Sequence, residues 1–221
     1  TNDFQGGIYL SAIGHVHIAE NTFQHVESEP VIEVQSNSTT LGSLTISNNI
    51  TKDIDSNVCI ELGADVNNAR LVGNTLDGVV TAIGLANCDN SVITGNFIKS
   101  GNIYTAGVSS NNHICGNRNN NPTTNTSGIQ LTNSLYDTVS DNTTYFVSVT
   151  ATLTSTHITN NIIYGDYNFV SDLGAIFVLG TEKAMILGNN FAGNNTTRTA
   201  KISVASCPES VISNNNNFEE I

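Results

Sequence analysis

Residues 71–117 read LVGNTLDGVVTAIGLANCDNSVITGNFIKSGNIYTAGVSSNNHICGN, and one four-residue phrase returns in them three times: Leu71-Val72-Gly73-Asn74, Ile93-Thr94-Gly95-Asn96 and Ile114-Cys115-Gly116-Asn117. The phrase is aliphatic–x–x–Asn. Working outward, it recurs as IAEN, ISNN, VSDN, ITNN, ILGN and ISNN, so that the asparagines are Asn21, Asn49, Asn74, Asn96, Asn117, Asn142, Asn161, Asn189 and Asn215. Successive asparagines lie 19 to 28 residues apart, about 24 on average, a period that marks a repeat architecture.

A second signal precedes each asparagine. It reads apolar–x–apolar: Ile8-Tyr9-Leu10, Ile32-Glu33-Val34, Ile60-Glu61-Leu62, Ile83-Gly84-Leu85, Ala106-Gly107-Val108, Ile129-Gln130-Leu131, Ala151-Thr152-Leu153, Ile176-Phe177-Val178 and Ile202-Ser203-Val204. Alternation with period two puts one face of a strand inward and the other outward. A further apolar residue often follows two places after the asparagine, as at Phe23, Leu76, Ile98, Ile163 and Phe191. Two or three short strands per repeat cannot enclose a core alone, whereas stacked repeats bury one continuous aliphatic column. The leucine-rich alternative lacks the helical half of its repeat, and a propeller needs four strands per blade over about 40 residues. The pattern therefore predicts an all-β parallel β-helix of about nine coils, a single domain over 1–221.

The asparagines have a physical role in such a stack. An amide carries both donor and acceptor, so an asparagine at a bend can bond the backbone of its turn and the asparagine of the next coil.

Composition agrees. Apolar residues make up 38% of the chain and charged residues 12%, too apolar for disorder. Seven Lys plus Arg against a net charge of −12 exclude a nucleic-acid partner and docking on an anionic membrane. No apolar run approaches the length of a membrane span, and no signal peptide is visible. Cys59, Cys88, Cys115 and Cys207 show no C-x-x-C spacing, so they read as free thiols in or near the core rather than as zinc ligands. His15 and His17 share one strand face, too few ligands for a metal site. No metal and no cofactor is called for.

The repeat resembles the right-handed parallel β-helix of the pectate-lyase-like superfamily, over Ile8 to Phe218. The resemblance, not the periodicity, implies the right hand. Among such proteins the chain resembles bacteriophage tailspikes, with Asn/Thr/Ser-rich coils and no segment ahead of Ile8 long enough to cap the first coil. That likeness implies a fragment of a longer chain or coil ends covered by other subunits, a homotrimer, a location in the virion tail, and a bacterial surface glycan as ligand.

The outward positions of the first strand are where chemistry is expected. Glu33 and Glu61 stand there on consecutive coils, flanked by the same apolar pair. Like charges directly opposite are destabilising. Glycoside hydrolysis uses such a pair, because repulsion leaves one carboxyl protonated beside an ionised partner. Asp65, at the turn leaving that strand, is the candidate third carboxylate. Tyr9 can stack on a sugar ring or meet a neighbouring subunit, and Gln130 can hydrogen-bond a sugar hydroxyl. The bland reading of the acid pair is two solvated glutamates with splayed side chains, and a bound cation is a further alternative. The polygalacturonase motif set is missing, and Arg70, Arg118 and Arg198 lie outside the outward column, which disfavours an arginine-base lyase. Three functions stay open: a tailspike β-helix that binds and hydrolyses a glycan, a secreted polysaccharide-degrading enzyme, and a purely structural or adhesive β-helix.

Overall fold

The computed structural model describes residues 3–4, 7–11, 14–27, 30–35, 43–54, 57–64, 66–120, 128–150, 155–164, 175–192 and 202–218. Every strand pairing among them is parallel, and no helix occurs. The chain is a parallel β-helix.

One sheet has nine strands, each running into a ladder asparagine: His15–Ala19, Ser43–Ser47, Ala69–Val72, Val92–Thr94, His113–Cys115, Thr138–Ser140, Ser155–Thr159, Lys183–Leu187 and Val211–Ser213. The aliphatic residue of each phrase points inward here and pairs with its counterpart on the next coil, from Ile18 through Ile46, Leu71, Ile93, Ile114, Val139 and Ile158 to Ile186 and Ile212. All but Ile212 are buried. Each such side chain contributes about 1.5–3 kcal/mol by leaving water. The remaining long strands form a broad sheet with two columns, one before and one after the first. Phe23, Leu76, Ile98, Ile163 and Phe191 all turn into the core from the column that follows the asparagines.

The asparagine column is continuous. Every Nδ2 from Asn21 to Asn189 donates to the Oδ1 of the next coil's asparagine at 2.9–3.0 Å. From Asn49 onward, Nδ2 also donates to the carbonyl of the preceding coil's aliphatic residue at 2.8–3.0 Å. The bend is made by the residue just before each asparagine. Glu20, Asn48, Gly73, Gly95, Gly116, Asp141, Asn160, Gly188 and Asn214 all have φ between 54 and 67°. That left-handed region favours Gly, Asn and Asp, which explains why those residues crowd the third place of the phrase.

The corner entering the nine-stranded sheet is turned in the same way by Asn68, Asn90, Asn111 and Tyr136, at φ 58, 55, 55 and 60°. A second, shorter ladder lies behind it. Ser91 N donates to Asn112 Oδ1 at 2.9 Å, and Asn112 N donates to Asp137 Oδ1 at 2.6 Å. Asp137 is 1% exposed.

Two first-strand assignments need correction. In the fifth repeat the strand that joins the column is Ile103-Tyr104-Thr105, paired with Ile83-Gly84-Leu85 and Ile129-Gln130-Leu131. The expected inward residue Val108 is 60% exposed. In the seventh repeat the column strand is Val147-Ser148-Val149. The expected Ala151-Thr152-Leu153 lies outside the described residues.

Candidate functional site: an acid pair on a solvent-facing column

With those corrections the outward column reads Tyr9, Glu33, Glu61, Gly84, Tyr104, Gln130, Ser148, Phe177 and Ser203, each residue the Cα partner of the next. Tyr9, Glu33 and Glu61 therefore sit on three successive strands, with backbones about 4.8 Å apart per step. The flanking residues fix this placement. Ile32 and Val34, and Ile60 and Leu62, are buried on the inner face, so the residue between each pair must face out.

The two glutamates have different surroundings. Gln35, two residues along the same strand, donates its amide Nε2 to Glu33 Oε1. The carboxyl of Glu61 is pushed above its usual range, first by burial and then by the charge on Glu33. Tyr9 is 58% exposed, and with Gly7, Ile8, Pro30 and Glu33 it lines an open hollow at one end of the pair. On the other side Glu61 meets Gly84, which presents no side chain. A Cβ at Gly84 would make only ordinary contacts, 3.6 Å from Thr81 Cγ2 and 3.9 Å from Val58 Cγ1.

Tyr9, Glu33 and Glu61 are thus brought together as expected. Gln130 is not part of the group: it stands three strands beyond Glu61, about 14 Å away, and accepts a hydrogen bond from Asn102 Nδ2 at 3.1 Å. Asp65 lies outside the described residues. Sequence reasoning missed two members of this face. Gln35 carries the hydrogen bond to Glu33, and a period-two reading of Ile32–Gln35 already places it on the same face. Tyr104 was hidden by the misassigned fifth strand.

The histidines make local bonds instead. His15 Nδ1 pairs with Ser43 Oγ at 2.7 Å, and His17 Nε2 with Ser47 Oγ at 3.1 Å. Among the described residues no three His, Cys, Asp or Glu gather as a metal site would require. The cysteines are thiols, Cys59 and Cys88 buried and Cys115 and Cys207 partly so.

Chemically, the pair offers a carboxyl that holds its proton to higher pH next to one already hydrogen-bonded by an amide. This is the asymmetry that acid–base work between two carboxylates needs. Comparison with protein families, curated proteins and solved structures finds no match to this chain.

Proposed function

We propose that the chain is a glycan-binding β-helix that hydrolyses a bacterial surface polysaccharide, with Glu61 as proton donor and Glu33 as base or nucleophile. The observation that carries the reading is the direct pairing of Glu33 and Glu61 across neighbouring strands, with the Glu61 carboxyl pushed up by burial and by Glu33. Two acids set opposite one another cost stability, and a glycosidic bond spanning them gives that cost a use. Tyr9 supplies an exposed ring beside the pair. The net charge of −12 repels polyanions, so the favoured substrate is neutral or weakly charged.

The setting that fits this chemistry is a viral tailspike, carried on the virion tail and assembled as a homotrimer. Exposed Tyr9 and outward Phe177 are two aromatic residues on this column suited to contact a second copy. Sedimentation of a stable monomer at micromolar concentration would refute the trimer.

The test is release of reducing ends from purified capsule and O-antigen by the wild-type chain and by Glu33→Gln and Glu61→Gln. Loss of either carboxyl should lower turnover by at least about 10²-fold while folding and glycan binding persist. Full cleavage by the double variant places the chemistry elsewhere. A second reading, a β-helix that grips the glycan without cutting it, is favoured by the Gln35 amide that already occupies Glu33. It predicts glycan binding without reducing ends.

A further inference from the structure

The corner residue Tyr136 is out of keeping with its position. On the three preceding coils the same place in the turn is held by Asn68, Asn90 and Asn111, all in the left-handed region. The equivalence is set by the backbone, since Asn68 N, Asn90 N and Asn111 N donate to Asp89, Ser110 and Leu135 O, each just before the next corner residue. Asparagine tolerates this conformation because its short polar side chain bonds locally, whereas a bulky ring there is an outlier that costs stability. The fold offers the ring little compensating burial, for Tyr136 is 58% exposed. A residue that strains the backbone without entering the core suits a contact with something outside the chain.

What surrounds the ring indicates the kind of contact. Tyr136 opens a hollow lined by Ser155, Glu182, Lys183, Pro208 and Glu209. These residues climb the stack beyond it. Ser155 pairs with Lys183, and Glu209 N donates to Glu182 O at 3.1 Å, so Glu182 and Glu209 project from adjacent coils. Both glutamates and Lys183 are exposed, and among the described residues no ion pair joins them. A ring face, two free carboxylates that accept from vicinal hydroxyls and one ammonium donor are a set of groups that fits a pyranose. Aromatic rings supply apolar contact area with a polar tip, and a few placed polar groups fix orientation. Two glutamates against one lysine favour a neutral sugar over an acidic one.

We propose that the Tyr136 hollow is a second carbohydrate-binding site for neutral pyranose units, separate from the acid pair. It begins three coils beyond Glu61, about 14 Å along the stack, at the corner entering the nine-stranded sheet rather than on the outward strand column. The inference rests on the reading of the chain as a glycan binder but not on cleavage by Glu33 and Glu61.

The decisive variant is Tyr136→Asn, which restores the residue type of the three preceding coils. The probes are an array of purified bacterial O-antigens, capsular polysaccharides and neutral plant and fungal oligosaccharides, followed by titration of the best-bound sugar. Expected are a denaturant midpoint equal to or above wild type and affinity weaker by roughly tenfold or more, as for loss of an aromatic anchor. Glu182→Gln with Glu209→Gln should weaken binding as well. Unchanged affinity in Tyr136→Asn overturns the proposal, as does an array on which the wild-type chain binds nothing. A fall in the midpoint makes Tyr136 a packing residue, and dissociation of an oligomer makes it a subunit contact. Either result also overturns it. Failure of the acid-pair reading shows separately, as retained cleavage in the double Glu33, Glu61 variant.

Discussion

The side-chain amide of Asn142 donates to the side-chain carbonyl of Asn161, 19 residues further along the chain, at 3.0 Å. The same amide donates to Ile114 O at 2.8 Å, and its Oδ1 accepts from both the side chain and the backbone of Asn117 at 3.0 Å. One buried residue thus ties together three coils. Replacing Asn142 with Ala leaves Asn117 N without its acceptor and takes the side-chain bond from Ile114 O, while Asn161 Oδ1 keeps the Asn142 backbone N–H. The expected loss is at least about 1–3 kcal/mol, the cost of leaving buried polar groups unpaired. A denaturant midpoint equal to wild type would show that water takes over the ladder's bonds.

Leu131 and Val108 test the register of the broad sheet. Leu131 is 1% exposed in the inward column, and Val108 is 60% exposed. Leu131→Ala should cost about 2–5 kcal/mol, the range for a buried large-to-small change. Val108→Ala should stay within about 0.5 kcal/mol of wild type, as surface changes do. A large loss for Val108→Ala would restore the strand assignment that the sequence pattern favoured.

Why the pattern failed at Val108 is visible in the strand that took its place. The inward residue opposite Leu85 and Leu131 is Thr105, fully buried, whose Oγ1 accepts a hydrogen bond from Thr132 N at 3.1 Å. A polar residue made suitable for the core by one hydrogen bond looks outward to any hydrophobicity count. Nearby Ala106-Gly107-Val108 mimics the repeat at a spacing that variable loops allow. Val147 and Val149 lost to Ala151 and Leu153 for a similar reason, since two alternating pairs stand side by side and spacing alone does not choose. The asparagine column was legible throughout because both its requirements, an aliphatic residue three places earlier and a left-handed residue just before, are local. The acid pair was legible because Glu33 and Glu61 sit between large aliphatic residues. Tyr136 was not, because nothing local marks a tyrosine as occupying an asparagine's corner until the coils are aligned in space.

Asp137 makes stability depend on pH. Burial raises its carboxyl from the ordinary value of 3.8 to about 6, against the opposing hydrogen bonds from Ser134 and Asn112, and Asp89 adds a smaller push upward. The folded chain therefore holds a proton that the unfolded chain has released between about pH 4 and pH 6, and stability falls as pH rises through that window. The contribution is roughly 3 kcal/mol at most, two pKa units at 1.36 kcal/mol each. Asp137→Asn, which continues the ladder begun by Asn112, should flatten this slope and unfold at higher denaturant than wild type at pH 7. Identical pH profiles for the two proteins would exclude a buried, proton-holding Asp137.

The thiols should separate by burial. Cys59 is fully buried and its thiol is pushed up to about 11, mainly by desolvation. Reaction needs an accessible thiolate, so a thiol reagent on the native chain should label Cys115 and Cys207 and reach Cys59 and Cys88 only after unfolding. Mass mapping of the labelled peptides reads this directly. Prompt labelling of Cys59 would contradict the closed core around Thr51 and Cys59.

Glu61 joins fold and function in one measurement. Its carboxyl is raised by burial and by Glu33. A group whose folded pKa lies above its unfolded value is costly once both states are ionised, so at neutral pH the charged Glu61 weakens the fold. Glu61→Gln keeps the shape and removes the charge, and the denaturant midpoint at pH 7 should rise while cleavage of the glycan is lost. Glu33→Gln should act through its neighbour, moving the Glu61 carboxyl back toward its ordinary value and shifting the basic limb of the pH–rate profile to lower pH in whatever turnover remains. A structural pair of solvated glutamates gives a different pattern: small changes in midpoint, no loss of turnover and no shift of the limb. An active-site pair that had been selected against its own repulsion gives a more stable and less active variant, a combination that general damage to the fold cannot produce. If Glu61→Gln instead lowered the midpoint and kept the rate, Glu61 would be holding the coil rather than cutting the sugar.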